Sequence, residues 1–314
     1  MPKCDICQYQ KTKFFHKIDR YVYYQCSRCV TLFLYPKPTL KQISNYYKKS
    51  FKYPAGEINE KLIRIRGKSI LKNLKKMNPA GKTLLDIGSG YGYFLHEAKV
   101  SGFKIAGIEP AKELYSASIN RLIEADIQNC SFAEYFMRKQ KKKFDFITII
   151  HTIEHVLNPQ QTISKALKLL NPQGILYLET PNLDSHLFRS EKQDYTFLTP
   201  PDHVWIFSKK SFETILTTIQ GIKIEKISSY SYPEHLMGIL KKYLNVILGR
   251  SDAMTPESIN NSGCTPKVIP YQNDKINIKK VKFLLFDKCL APIFTPLLNV
   301  GIYGTILELY IRKK

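Results

Sequence analysis

The chain is short of acid. Its 314 residues hold 26 Asp and Glu against 48 Lys and Arg, a formal net charge of +22. Such a surface concentrates anions, whether nucleotide sugars, nucleic acid or acidic lipid headgroups, without choosing among them. The basic residues are spread along the chain (Lys48-Lys49, Lys75-Lys76, Lys139 to Lys143, Lys241-Lys242, Arg312 to Lys314) instead of being gathered in one arm, which speaks against a dedicated nucleic-acid binder. No uninterrupted apolar run reaches the ~18 residues of a membrane span. The start, Met1-Pro2-Lys3-Cys4-Asp5, lacks the apolar stretch of a secretory signal. A cytoplasmic, reducing setting is the expectation, and there seven cysteines serve as ligands or buried thiols in place of disulfides. Internal repeats are absent. Against these absences stands a hydrophobic fraction of 44%, that of an ordinary globular protein.

Four of the cysteines fall into two C-x2-C pairs, Cys4 with Cys7 and Cys26 with Cys29, with strand-like Tyr21-Val22-Tyr23-Tyr24 leading into the second. Four thiolates at this spacing close a tetrahedral Zn2+ site, so residues 1–38 read as a zinc-ribbon-like module with a structural metal; a redox or unpaired-thiol role is the alternative. Cys130, Cys264 and Cys289 read as ordinary thiols.

Residues 39–79 have a basic helical pattern. From residue 80 to 232, apolar strands alternate with amphipathic stretches, the pattern of a mostly parallel sheet with helices on both faces. Strands are predicted at Thr83–Ile87, Lys104–Ile108, Arg121–Ala125, Phe144–Ile150, Gly174–Glu179 and Ile222–Ser228. Helices are predicted near Phe94–Val100, Lys112–Ser118, Phe132–Gln140, Pro159–Leu170 and Lys209–Ile219. Residues 233–303 read as a helical, apolar cover, and 304–314 as a final strand with a basic tail. The fold class is therefore α/β, a Rossmann-like core with a small zinc ribbon and a helical C-terminal insertion.

The buried strand Leu84-Leu85-Asp86-Ile87 runs into Gly88-Ser89-Gly90-Tyr91-Gly92 and then a helix. Glycines let the backbone turn sharply and approach a ligand, and the helix offers free N–H groups to an anion. The dinucleotide pattern G-x-G-x-x-G fails here, because Tyr93 stands where the third glycine would be. Asp86, two residues before the first glycine, would face a pyrophosphate but suits a cation. S-adenosylmethionine brings an ammonium and a sulfonium. Glu109, at the tip of the next strand, is placed to accept both ribose hydroxyls. A tight turn and a surface acid would be the unremarkable alternative.

This signature, Asp86 to Gly92 with Glu109, resembles that of class I S-adenosylmethionine-dependent methyltransferases. The resemblance continues through Phe144 to Ile147, His151-Thr152-Ile153-Glu154-His155, Leu170 to Gly174, Glu179-Thr180-Pro181-Asn182 and Asp202-His203-Val204-Trp205-Ile206-Phe207-Ser208. It resembles the branch that includes ubiquinone-pathway-like and bacterial sugar methyltransferases, and it implies the fold and the cofactor but not the acceptor. Asp126, Cys130, Ser131 and Phe132 are the candidates to hold the adenine, with Ser131 and Phe132 preferred. Within this reading His151 or His155 is the general base, Glu154 orients it, and His203 is a second-tier candidate. The acceptor is expected to be a small molecule, a sugar or sugar-lipid intermediate, methylated on oxygen or carbon.

Other readings are weaker. His151-x-x-Glu154-His155 fits the H-x-x-E-H pattern of inverted zinc peptidases, but a β-like run precedes it and Pro159 follows too soon for a zinc-binding helix. An RNA or protein methyltransferase, or a binding protein on a vestigial fold, would suit the charge. The lysines between Lys241 and Lys282 suit peripheral contact with an anionic membrane.

Overall fold

Strand Thr83–Ile87 (β4) is buried from its second residue to its last, Leu84, Leu85 and Ile87 packing on its two faces with the Asp86 carboxylate enclosed among them, as expected of a strand covered on both faces. Around it, the computed structural model describes residues 1–50, 60–139, 142–232 and 301–314. In chain order the elements are β1 Thr12–Ile18, β2 Tyr21–Cys26, β3 Leu32–Tyr35, α1 Leu40–Ser50, α2 Glu60–Met77, β4, α3 Tyr93–Val100, β5 Lys104–Ile108, α4 Lys112–Arg121, β6 Asp126–Gln128, α5 Phe132–Lys139, β7 Phe144–Ile150, α6 Pro159–Lys168, β8 Leu170–Pro181, α7 His186–Glu191, β9 Trp205–Ile206, α8 Lys209–Leu216, β10 Ile222–Tyr230 and β11 Ile306–Lys313.

A seven-stranded sheet in the order β10-β11-β8-β7-β4-β5-β6 forms the centre. The pairs β4–β5, β4–β7, β5–β6 and β7–β8 are parallel, and β11 enters antiparallel between β8 and β10. The α/β fold read from the sequence is the one observed, and the final strand returns to the sheet as expected. Helix starts follow local chemistry: Asn158 accepts from the Gln161 N–H with Pro159 at the first helical position of α6, and Ser208 and Ser211 cap α8 reciprocally.

Several boundaries move. The third strand is Asp126–Gln128, not Arg121–Ala125, because α4 continues to Arg121 and the chain turns back through Glu124 in the left-handed region. Two helices stop sooner than expected, at Lys168 and Leu216, and Leu170 is already paired with Phe144 in the sheet. The expected cover over 233–303 falls, up to residue 300, outside the described residues. Among those described, no helix is long and apolar enough to cross a membrane.

The N-terminal strands build a second, antiparallel sheet, β1-β2-β3-β9. Its fourth strand is not local. Leu32 pairs with Ile206 and Phe33 with Trp205, so the module is finished by chain that follows strands β4 to β8 of the core. Trp205 is fully buried and donates its indole N–H to the Val156 carbonyl at 2.7 Å; burying such a side chain contributes roughly 1.5–3 kcal/mol. Tyr23, Leu32 and Leu34 share one buried cluster with Leu85, Ile147 and Leu178 of the central sheet.

Candidate active site

The glycine turn and the tip of β5 meet directly. Gly88 and Ser89 donate their N–H groups to the Ile108 carbonyl at 2.8 and 2.9 Å. Glu109 reaches back, one carboxylate oxygen accepting from the Gly90 N–H and the other from the Ala111 N–H, both at 2.8 Å. Gly88, Gly90 and Gly92 all have positive φ, which explains the glycines. Gly88 has a further reason, since a Cβ there would overlap Thr152. Space above Gly90 is open, with no heavy atom within 4 Å of a Cβ built there. The backbone is thus bare where a ligand would approach.

Asp86 lies one strand away from Glu109, its register partner being Gly107. It is 2% exposed and accepts from the Thr148 hydroxyl at 2.6 Å. Burial raises its pKa from 3.8 to about 7, the Glu109 charge adding to the effect while Thr148 opposes it. Burial also raises Glu109, against the Ala111 and Gly90 N–H groups and the charge of His155. Two crowded carboxylates with the buried Ser89 hydroxyl, which has no hydrogen-bond partner, make a site short of positive charge and of donors. A ligand bringing a cation and hydroxyls fits it, as S-adenosylmethionine does.

The adenine candidates come out differently. Ser131 is taken up in starting α5: its hydroxyl accepts from the Glu134 N–H at 3.3 Å while Glu134 accepts from the Ser131 N–H at 2.8 Å. Phe132 packs edge-on against Phe136. Asn129, which sequence reasoning passed over, donates to the Glu109 and Pro110 carbonyls and ties the end of β6 to the tip of β5.

At the end of β7 the chain leaves the sheet through His151, a non-glycine residue at φ 46, whose N–H donates to the Glu179 carbonyl. Its partly exposed imidazole lies between two buried carboxylates, 3.5 Å from Glu154 and 3.3 Å from Glu179. Desolvation lowers its pKa, but these carboxylates outweigh it and hold the ring up to about 10. His155 likewise is held up to about 9 against desolvation by Asp202, 2.9 Å from its Nδ1. His203 goes the other way: burial and then the neighbouring His155 charge lower it. The His155 and His203 rings lie 4.8 Å apart. Glu154 is fully buried, accepting from the Thr180 hydroxyl at 3.0 Å, while its carbonyl oxygen receives the N–H groups of Val204 and Trp205. All four side chains singled out in the sequence therefore gather at the carboxyl ends of β7 and β8, where ligands bind in open α/β sheets.

Beside them sits a network no sequence pattern announced. Arg66 of α2 donates to Tyr177 at 2.8 Å and pairs with Glu179 and Glu308, its guanidinium 3.7 Å from the Tyr230 ring centre. Tyr230 donates to Glu179 at 2.5 Å. Arg66 lies in the stretch read only as a basic helical linker.

In the N-terminal module the four thiols converge. Cys4 and Cys29 sulfurs are 3.6 Å apart and those of Cys7 and Cys26 3.4 Å, with no disulfide among them. A tetrahedron of sulfurs ~2.3 Å from zinc has edges of about 3.8 Å, so the residues fit a closed Zn2+ site. The module also reaches the loop that carries His203, Tyr23 donating to the His203 carbonyl at 2.6 Å.

Comparison with known proteins agrees with this geometry. A family model described as a methyltransferase domain matches residues 58–220, more than half of the chain. A ubiquinone biosynthesis O-methyltransferase from Aromatoleum aromaticum is 30% identical over 107 residues, which cover 33% of this chain and 45% of the relative. Another of that name from Dechloromonas aromatica is 29% identical over 128 residues, 39% of this chain and 55% of the relative. The chain thus spans about half the length of these curated relatives. In structure, the plantazolicin methyltransferase BpumL, solved with a monoazolic desmethylPZN analog and SAH, aligns over 87% of this chain and 90% of its own, with a TM-score of 0.50 at 15% identity, a likeness of fold. The chain belongs to the methyltransferase-domain family and has the class I S-adenosylmethionine-dependent methyltransferase fold.

Proposed function

We propose that the protein transfers a methyl group from S-adenosylmethionine to a hydroxyl of a small molecule. The observation that carries this reading is the bridge from Glu109 to the Gly90 N–H, beside the buried Asp86. Bound there, the sulfonium would supply an electrophilic methyl group for in-line displacement. Asp86 would meet the cofactor's positive charge, and the N–H groups at the start of α3 would meet its carboxylate. Glu109 has lone pairs left for ribose hydroxyls after its two backbone bonds.

On the acceptor side, His151 gives both ring nitrogens to Glu154 and Glu179 and so fixes these carboxylates beside the place where the hydroxyl would enter. The hydroxyl proton passes to the group formed by Glu154, His155 and His203. His203 has the means to take it, because its Nδ1 lies 2.6 Å from the Phe197 carbonyl. A carbonyl only accepts, so Nδ1 carries the hydrogen and Nε2 keeps a lone pair. Holding the nucleophile in line is the larger contribution; effective molarities from positioning reach ~10⁵–10⁸ M.

The names of the matched relatives support oxygen as the acceptor atom. The narrower reading, a sugar or lipid-linked sugar, is supported by the +22 charge, which draws in anionic nucleotide or phosphate groups. The cysteine module holds a structural Zn2+ that braces the His203 loop through Tyr23. Calorimetric titration with S-adenosylmethionine tests the reading, followed by transfer of labelled methyl groups to nucleotide sugars, phenols and lipid extracts. Saturable binding and label in a small-molecule fraction are expected. Absence of both heat and thermal shift would sink it.

A further inference from the structure

We propose that Arg66 is a positioning residue for the acceptor side of the site, acting through Glu179 on His151 and Glu154; its use there rests on the methyl-transfer reading. The four side chains alternate in charge and meet in that order. Arg66 Nε and Nη2 each lie 3.2 Å from one oxygen of Glu179, Oε2. The other, Oε1, is 3.3 Å from His151 Nε2, and His151 Nδ1 is 3.5 Å from Glu154 Oε1.

Glu179 is built to transmit and not to react. It is fully buried, and both oxygens are taken: Oε2 also accepts from the Tyr177 hydroxyl, and Oε1 from the Tyr230 hydroxyl at 2.5 Å. A carboxylate so committed has no lone pair left for a substrate proton. Its main chain grips the same partner, the His151 N–H donating to the Glu179 carbonyl at 2.8 Å. That second link matters because His151 turns at φ 46, a left-handed conformation that a non-glycine residue keeps only where its surroundings impose it.

Successive residues of β8 point to opposite faces of the sheet. Glu179 meets Arg66 of α2, while the next residue, Thr180, donates its hydroxyl to Glu154 at 3.0 Å. The His151 ring joins the two carboxylates, so the placement of Arg66 reaches a group beyond the sheet edge. Glu154 in turn lies near enough to His155 and His203 for their charges to act on it. Arg66 is itself fixed by Tyr177, by Glu308 of β11 and by the Tyr230 ring. Among the described residues, the other partners of Glu308 are Tyr177, Lys226 and Ser228, none a member of the chain. Glu308 therefore separates a stabilising role of Arg66 from a positioning one.

The experiment follows the His151 ring nitrogens by NMR in the full-length, ligand-free protein from pH 6 to 10, its signals assigned by their loss in His151→Gln. The charged groups facing this ring are Glu154 from its own turn and Glu179 from β8, with Arg66 and Glu308 one contact further out and His155 and His203 beyond Glu154. In Glu179→Gln the ring should lose its proton at a pH at least ~1 lower than in the parent. Arg66→Lys keeps the charge and gives up the planar fork that serves Tyr177, Glu179 and Glu308 together. It should shift the ring the same way, by at least ~0.5, and add nothing in the double variant with Glu179→Gln. Glu308→Gln should leave the ring unmoved. On the acceptor that takes up label, Arg66→Lys should lower kcat at least ~10-fold with KM for S-adenosylmethionine within ~2-fold. A ring that titrates alike in Arg66→Lys and the parent, or moves as far in Glu308→Gln, would overturn the proposal. Calorimetry on the same samples separates the two ideas: cofactor binding without the shift removes this inference alone, and the shift without cofactor binding removes the methyl-transfer reading and leaves Arg66 coupled to His151.

Discussion

The Tyr23 phenol donates a 2.6 Å hydrogen bond to the carbonyl of His203, joining the second strand of the cysteine module to a loop of the candidate active site. Tyr23 is fully buried, so its hydroxyl has no water to turn to. The module thereby has a mechanical claim on a residue proposed to take up a proton. Tyr23→Phe should lower stability by ~0.5–1.5 kcal/mol and lower kcat more than it raises KM. Urea denaturation read beside steady-state kinetics checks both. A loss of stability with unchanged kcat would show that the link is only structural.

The glycine turn separates folding from binding. Gly88→Ala meets both a left-handed backbone and Thr152, and should cost roughly 1–3 kcal/mol of stability. Gly90→Ala has the backbone strain but open space, so it should fold with a smaller loss while cofactor affinity drops. Thermal melts and calorimetry on the two variants give the comparison; equal losses of stability would contradict the geometry.

Asp86 should show itself in the pH dependence of the ligand-free protein. Its pKa is raised on folding, to about 7, so the folded state holds this proton more tightly than the unfolded chain. Its contribution favours the fold below pH about 4, fades as pH rises towards 7 and is flat above that. Asp86→Asn removes this slope. The ligand-free variant should gain in Tm over the parent as pH rises between those values, yet bind S-adenosylmethionine more than ~10-fold less tightly at pH 8, a trade of stability for function.

Arg66 compensates two buried carboxylates, Glu179 and Glu308. Removing it by Arg66→Met should cost up to ~3–5 kcal/mol, because Glu179 would keep only the partly exposed His151 and Glu308 only the partly exposed Lys226 as opposite charges. Adding Glu308→Gln should restore part of the loss. A double-mutant cycle by chemical denaturation measures the coupling, and additive effects would refute it.

The parts of the site that lie in one stretch of chain were open to sequence reading. Asp86, the glycines and Glu109 follow one another along two adjacent strands, and the structure joins them within a single hydrogen bond. Ser131-Phe132-Ala133-Glu134 carries the S-x-x-E capping pattern, legible in the sequence and used in the structure, which gives Ser131 a local role beside the adenine contact expected of it. The third strand moved because Leu122-Ile123 looks extended in isolation, whereas α4 and the turn at Glu124 claim that stretch. Arg66 against Glu179 and Glu308, or Thr148 against Asp86, could not be read at all. Such pairs are far apart in sequence, and no local period encodes them.

The borrowed strand Trp205–Ile206 also imposes an order of events during synthesis. When a ribosome has delivered Cys4 to Tyr35, the outer edge of Leu32 and Phe33 still presents bare peptide groups, and the chain that covers them has yet to be translated. Nascent protein must carry an open, apolar strand edge until β4 to β8 and then Trp205–Ile206 have emerged, the kind of exposure that invites pairing with a neighbour. A fragment ending at residue 38 would keep that sticky margin for good, so the cysteine module is not a part to be cut out and grafted elsewhere.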